Sequence, residues 1–371
     1  MKKQQQTSII ILAKKLEFSA KKVYNYMIIC EVEGMKIAID AFGGDNAPDE
    51  VVKGSIQATE KLNCEVILVG NEEILRKKLE EFNYTGKNIS IKNATEIIEV
   101  CEEPVKAIRT KKDSSLVVAL NLCKTGEADA VVSAGSTGAY LAGAFRILGR
   151  IKGIKRPALT AFIPNIQGGI GVITDCGATS DAKPEYLAQY GQMGSLYAEK
   201  VLGIENPKVY LANIGIEEGK GNELYRNAYE LLKENENINF CGNLETRDLT
   251  AGIADVIICD GFSGNMVIKT IEGTATSLFK LIKKSFLENL LTKIAASVML
   301  PRLKKIKSML DSSEQGGVPL LGIDGVVIKA HGNSKAKAFS NAIESAAIFA
   351  KTGINDELKK LYSNISVNEE E

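Results

Sequence analysis

The sequence predicts an α/β protein with a largely parallel sheet, helices on both faces and two lobes. Three observations predict it. From Met35 onward short β-like apolar runs alternate with helical patterns. At four places such a run ends in small and polar residues just before a helical pattern begins. No repeat period and no low-complexity linker divides the chain into independent units.

The expected strands are Lys36 to Asp40, Glu65 to Gly70, Ile89 to Asn93, Ala130 to Ala134, Ala158 to Pro164, Gly171 to Asp175, Val209 to Asn213, Ile238 to Cys241, Val256 to Cys259 and Val326 to Ala330. Helical spacing fills Asn71 to Phe82, Pro104 to Cys123, Pro184 to Leu202, Asn222 to Glu234 and Gly264 to Lys284. After the first strand, Asp45 or Asn46 is placed to cap the next helix. The four junctions are Val131 to Tyr140, Val172 to Leu187, Leu211 to Leu224 and Ile257 to Asn265. Each puts backbone N–H groups at a helix N-terminus, where the peptide dipoles favour an anion, and phosphate is the expected one. In such folds ligands bind beyond the carboxyl ends of the strands.

Composition narrows the function. The 371 residues are 45% hydrophobic, enough for a large core, and 46 Lys+Arg balance 46 Asp+Glu, so no global field recruits nucleic acid. The seven cysteines lack CxxC spacing and sit mostly in apolar runs, which suits a reducing compartment and small core residues. With one histidine, a structural zinc site is not expected, and no apolar stretch reaches the ~20 residues of a membrane span. Residues 1–34 read as an N-terminal extension, disordered or weakly helical, with Met35 a possible internal start; 363–371 read as an acidic tail that frays. The unit between them runs from 35 to 362. Gly219-Lys220-Gly221-Asn222 lacks the hydroxyl residue and the register of a P-loop, and no GxGxxG follows the first strand, so ATP and NAD are not indicated.

Several segments together form one pattern: IAIDAFGGDNAP, EPVKAIRTKKDSS, ADAVVSAGSTGA, GRIKGIKRPAL, DAKPEYLAQYG, NIGIEEGKGNEL, DVIICDGFSGNMVIKTIEG and GGVPLLGIDGVVIKAHGNS. On these the chain resembles the PlsX family of phosphate acyltransferases from Met35 to about Ala350. It departs from the family pattern at Phe42, Ser136, Thr179 and Ser180. The resemblance implies the isocitrate/isopropylmalate dehydrogenase-like fold, shared with phosphotransacetylase, and a homodimer without metal or nucleotide cofactor. The implied reaction is reversible formation of acyl-phosphate from acyl-carrier protein and inorganic phosphate, for phospholipid synthesis, with the membrane acyltransferase PlsY taking the product. The alternatives are coenzyme A-dependent acyl transfer and a non-catalytic module that binds acyl-phosphate or carrier protein.

The reaction suits the residue types. Two anionic parties must be held together and an oxyanion stabilised, which N–H groups, hydroxyls and lysines do. Ser133, Gly135, Ser136, Thr137 and Gly138, backed by Lys111 or Lys112, are the phosphate candidates, with Asp40, Gly43, Gly44 and Asp45 in the first strand's turn. Lys183, Lys220 and Asn222 are candidates for the acyl-phosphate or oxyanion, and Gly264 and Asn265 complete the last junction. Lys183 also reads as a solvated residue before Pro184. His331 could donate to phosphate or protonate the sulfur, and Asp260 could orient it or cap a helix. Direct attack by phosphate is expected in preference to an acyl-enzyme on Cys176. The basic amphipathic segment 278–310, expected to break at Pro301, reads either as a core or dimer helix or as a surface for anionic lipid or the acidic carrier; the family resemblance implies peripheral membrane association from the cytoplasm.

Overall fold

The computed structural model describes residues 34–310 and 316–368. The expectations for residues 1–33 and for 369–371 lie outside them. One open sheet of 11 strands runs in the order β3-β2-β1-β4-β11-β10-β5-β6-β9-β7-β8. Its left part is β1 (Lys36–Asp40), β2 (Glu65–Gly70), β3 (Ile89–Asn93), β4 (Ala130–Ser133) and β11 (Val326–Lys329), all mutually parallel. Its right part is β6 (Ile170–Thr174), β7 (Lys208–Asn213), β8 (Asn239–Glu245) and β9 (Val256–Ile258), also mutually parallel.

Two strands join the parts. β10 (Val318–Leu321) is antiparallel to both β11 and β5 (Ala158–Pro164), and β5 is antiparallel to β6. Three antiparallel steps reverse the direction, so the two parallel blocks run in opposite senses. The four junctions lie at strand carboxyl ends, which a wholly parallel sheet would bring to one edge. They divide instead: the β4 junction belongs to the left block and the other three to the right. β10 was not foreseen, because four residues starting in a Pro-containing run give too little periodicity to read.

Both faces are covered, as a parallel sheet requires. Alternate residues of β1 show it: Ile37 and Ile39 belong to one apolar cluster and Ala38 to another. The first face carries α1 (Asp49–Leu62), α6 (Pro184–Lys200), α7 (Glu223–Lys233) and α10 (Ala336–Thr352), through Val52, Tyr190, Tyr229 and Phe339. Gly54 lets α1 and α10 touch, since a Cβ there would lie 2.7 Å from the Ala336 carbonyl oxygen. The opposite face carries α3 (Pro104–Thr110), α4 (Ser115–Lys124) and α5 (Thr137–Gly143), the last continuing as a π-helical turn, Ala144–Leu148. α2 (Glu72–Glu81) covers β2 and β3, and α11 (Ile354–Asn368) follows α10.

Four local expectations are corrected. Pro104 to Cys123 is two helices, because Ser114 caps α4 by accepting the Val117 N–H and Lys111 ends α3. The helix after β1 has Pro48 at its N-cap with no side-chain cap; Asn46 turns away to donate to the Asn333 carbonyl at 3.0 Å. α11 runs to Asn368, past the boundary that the acidic tail suggests. The break in the basic segment falls before Pro301, between α8 (Gly261–Phe286) and α9 (Leu290–Leu310). Asn289 and Thr292 close that break reciprocally, each side chain meeting the other's backbone N–H, and Pro301 is accommodated inside α9.

Candidate active site

The β1, β4 and β11 ends bring one group of predicted residues together. Asp40, nearly fully buried, accepts from Ser115 Oγ and from Ser133 Oγ, each at 2.6 Å. Burial raises the Asp40 pKa, and those two hydroxyl bonds oppose the rise. Gly135 N–H donates to Ser133 Oγ at 3.0 Å, so the Ser133 hydroxyl is engaged on both sides. Gly43 packs on this pair: a Cβ would run into the Asp40 carboxylate and sit 2.8 Å from Gly135 N. Gly44, at φ +108°, closes against Gly332, and Asp45 N–H donates to the Gly332 carbonyl at 2.8 Å. That bond draws His331 and Ser334 to the same turn, with His331 exposed.

Ser136 caps α5 through the Ala139 N–H, Thr137 is exposed, and Gly138 leaves room for Pro104. Lys111 is drawn away from them: its Nζ donates to Glu102 at 2.6 Å and to the Ile97 carbonyl at 2.7 Å, while Lys112 is exposed.

The right block makes a second centre around a residue absent from the predicted site. Asp175, fully buried just past β6, accepts the N–H groups of Leu159, Gly177, Ala178 and Thr179 at 3.0, 3.0, 2.9 and 2.7 Å. Burial pushes its pKa up to about 6 against the pull of those bonds. These N–H groups lie before α6, mostly in the loop that leads to it, and the chain's own carboxylate satisfies them; the N–H groups that this junction was expected to offer an anion are those of α6 itself, which starts at Pro184. The signal was the aspartate itself at the strand end.

Asp260 plays a similar part at α8. Its oxygens accept the Ser263 N–H at 2.9 Å, Ser263 Oγ at 2.7 Å and Tyr225 OH at 2.6 Å. Asp260 is thus the N-cap of α8, and none of these partners is His331. Gly264 packs against the Asp175 carbonyl, where any Cβ would collide, and Asn265 lies near Gly177. Lys220 and Asn222 stand apart on the loop above β7. Lys220 pairs weakly with Glu217 at 3.9 Å, and Asn222 caps α7 through the Tyr225 N–H.

Lys183 is placed where it can meet an anion. It sits at the N-cap of α6, ahead of Pro184 at the first helical position. It lines an open cavity of about 440 Å³ with Phe145, Arg150, Lys155, Arg156, Glu185 and Tyr186. Four cations face one carboxylate there, at the positive end of a helix dipole. Arg150 stacks over the Phe145 ring at 5.2 Å and Arg156 over Tyr186 at 6.0 Å, so aromatic faces hold both guanidinium groups. The three cations before β5 lie in GRIKGIKRPAL, which marked the family resemblance but was not read as part of the site.

The thiols divide between core and surface. Cys64 and Cys259 are buried, but Cys101 and Cys241 are exposed, which corrects their expected core role. Burial raises the Cys176 pKa well above the usual thiol value, with the Asp175 charge adding to it. Among the described residues no helix is long and apolar enough to cross a membrane.

Comparison with known proteins places this architecture. The sequence profile of the family described as "Fatty acid synthesis protein" matches residues 35–357. A phosphate acyltransferase from Clostridioides difficile (strain 630) is 48% identical over 329 residues, covering 89% of this chain and 96% of its own. Another from Desulfitobacterium hafniense (strain DSM 10664 / DCB-2) is 50% identical over 327 residues, covering 88% and 97%. Among solved structures, a phosphotransacetylase from Streptococcus pyogenes superposes with a TM-score of 0.60 at 19% identity, covering 88% of this chain and 98% of its own. The EutD phosphotransacetylase from Staphylococcus aureus gives 0.57 at 15%, covering 89% and 99%. These two likenesses establish the fold.

Proposed function

The chain belongs to the phosphate acyltransferase family and is an acyltransferase, and we propose that it moves an acyl group from the thioester of acyl-carrier protein to inorganic phosphate. A phosphate oxygen attacks the thioester carbonyl carbon, the carbonyl oxygen becomes an oxyanion, and its collapse breaks the C–S bond. The carrier thiolate leaves and takes up a proton. Phosphate is already anionic and thiolate is a good leaving group, so positioning and charge stabilisation are the chain's main task.

The observation that carries the reading is the cavity of Arg150, Lys155, Arg156 and Lys183, four cations at a helix N-terminus. It suits a phosphoryl group and the acidic surface of a carrier protein. Ser136, Thr137 and Gly138, proposed as phosphate contacts, and His331, proposed as the proton donor to sulfur, stand past the carboxyl ends of β4 and β11, at the sheet edge opposite this cavity. They offer an alternative phosphate site, and the phosphate KM of Arg156→Glu against that of Ser136→Ala decides between the two. We propose that the enzyme is a homodimer lying at an anionic membrane surface on the cytoplasmic side, handing acyl-phosphate to the membrane acyltransferase PlsY. What supports that placement is the exposed apolar surface of α8 and α9, Leu281 at 63% and Val298 at 74% exposure, interleaved with Lys280, Lys283, Lys284 and Lys293.

The test is phosphate-dependent release of carrier thiol from acyl-carrier protein, run beside acyl-coenzyme A. Release from the carrier substrate, with acyl-phosphate formed in equal amount, is the expected result. Preference for coenzyme A would replace the donor, and tight binding without turnover would leave a binding module.

A further inference from the structure

Three adjacent strand ends carry a row of unlike polar side chains. Lys329 on β11 pairs in register with Ser133 on β4, and Ser133 Oγ–H donates to Asp40 Oδ2 on β1. Alternation along each strand puts all three on the face that carries Ala38, Val131 and Val327. Asp40 and Ser133 satisfy one another. Lys329 is left over.

Its side chain is buried, with the residue 8% exposed, and the hydrogen bond of its ammonium goes to the Ala330 carbonyl. An ammonium offers three donors. Among the described residues it forms no ion pair, although the charges of Asp40 and Asp45 reach it. Burying a cation on these terms costs several kcal/mol, and an apolar side chain of the same length would fill the space without that cost. In the left block the strand order reverses between β1 and β4, and Lys329 stands on the next strand at the same carboxyl ends, beside which such a reversal opens a crevice.

We propose that Lys329 is a catalytic residue of the acyl transfer, its ammonium meeting an anionic oxygen of the reactants beside the Gly44–Gly332 turn. This rests on the phosphate acyltransferase reading. The oxygen belongs either to bound phosphate or to the tetrahedral oxyanion formed on the thioester carbon. Burial lowers the ammonium's pKa to about 8, which the nearby carboxylates resist, so the charge is held at neutral pH.

The test is Lys329→Met, with Lys329→Gln as a second variant, assayed for thiol release and for thermal unfolding with and without inorganic phosphate. The expected result is a variant at least as thermostable as the parent whose kcat/KM for phosphate falls about 100-fold. A raised phosphate KM with loss of the phosphate-induced Tm shift assigns the contact to phosphate; a lower kcat with that shift intact assigns it to the oxyanion. A folded Met variant with parental kinetics overturns the proposal, and so does a failure of both variants to fold, which would make the ammonium structural. If the parent itself releases no thiol with phosphate, the reaction is wrong, and the Tm shift of parent against variant then decides for or against Lys329 alone.

Discussion

Asp175 Oδ2 accepts the backbone N–H of Thr179 at 2.7 Å, and through this bond a buried carboxylate holds the loop that leads from β6 to Lys183. Asp175→Asn would face the loop's N–H groups with an amide NH2 in place of one acceptor. Leaving a buried donor unpaired costs about 1–3 kcal/mol, so the variant is expected to unfold at lower denaturant. The pH dependence has a definite sign. The folded pKa of about 6 lies above the usual 3.8, so the folded state holds more protons between them, and this group's stability is full below 3.8 and lost as pH rises through 6. The parent's advantage over the Asn variant should therefore grow as pH falls from about 6 towards 4. Urea titrations at both pH values check it; a constant gap would mean that Asp175 is ionised throughout.

Gly43 has no room for a methyl group between Asp40 and Gly135. Gly43→Ala should displace the first strand's turn, costing about 1–3 kcal/mol and lowering thiol release more than tenfold. Melting curves and initial rates measure the two effects. A variant with parental values in both would show that the turn can shift freely.

Cys176 should be chemically quiet, because its thiolate is disfavoured by burial. Cys176→Ala is expected to keep most of its activity, and iodoacetamide at pH 8 should label the exposed Cys101 and Cys241 first. Mass spectrometry during turnover should find no acyl group on Cys176; an acyl adduct there would establish a covalent route.

The basic cavity makes a charge prediction. Arg156→Glu should raise the KM for phosphate or carrier substrate about tenfold and flatten its dependence on salt, while stability changes by about 0.5 kcal/mol or less, as for a surface substitution. Kinetics at two ionic strengths decide it. Unchanged KM values at both would remove the cavity from the site.

The exposed residues of α8 and α9 test the membrane placement. Replacing Leu281 and Val298 by Glu should release the protein from anionic vesicles and leave turnover in solution within about twofold. Sedimentation with vesicles and sizing chromatography separate the cases: persistent vesicle binding contradicts the placement, and dissociation of a dimer identifies the face as subunit contact.

Much of the fold was legible because its signals are local. The apolar runs of β1, β2 and β5 coincide with their predicted bounds, since strands buried on both faces leave little choice of residue, and the edge strand β3 keeps its predicted bounds through its alternating pattern. Lys183 and Pro184 announced the start of α6 in the same way. What the sequence could not determine was direction and pairing. Whether β10 lies antiparallel between β11 and β5, and so reverses the right half of the sheet, depends on contacts between residues far apart in the chain. The same holds for polar groups. A strand-end aspartate followed by glycine reads as a ligand site, but only the folded chain decides that Asp175 turns back to satisfy Gly177, Ala178 and Thr179, or that Lys111 is taken by Glu102. Hydrogen bonds are short-ranged and directional, so their partners are chosen in three dimensions. Lys329 belongs to that second class: one lysine in an apolar strand until β4 brings Ser133 and Asp40 beside it.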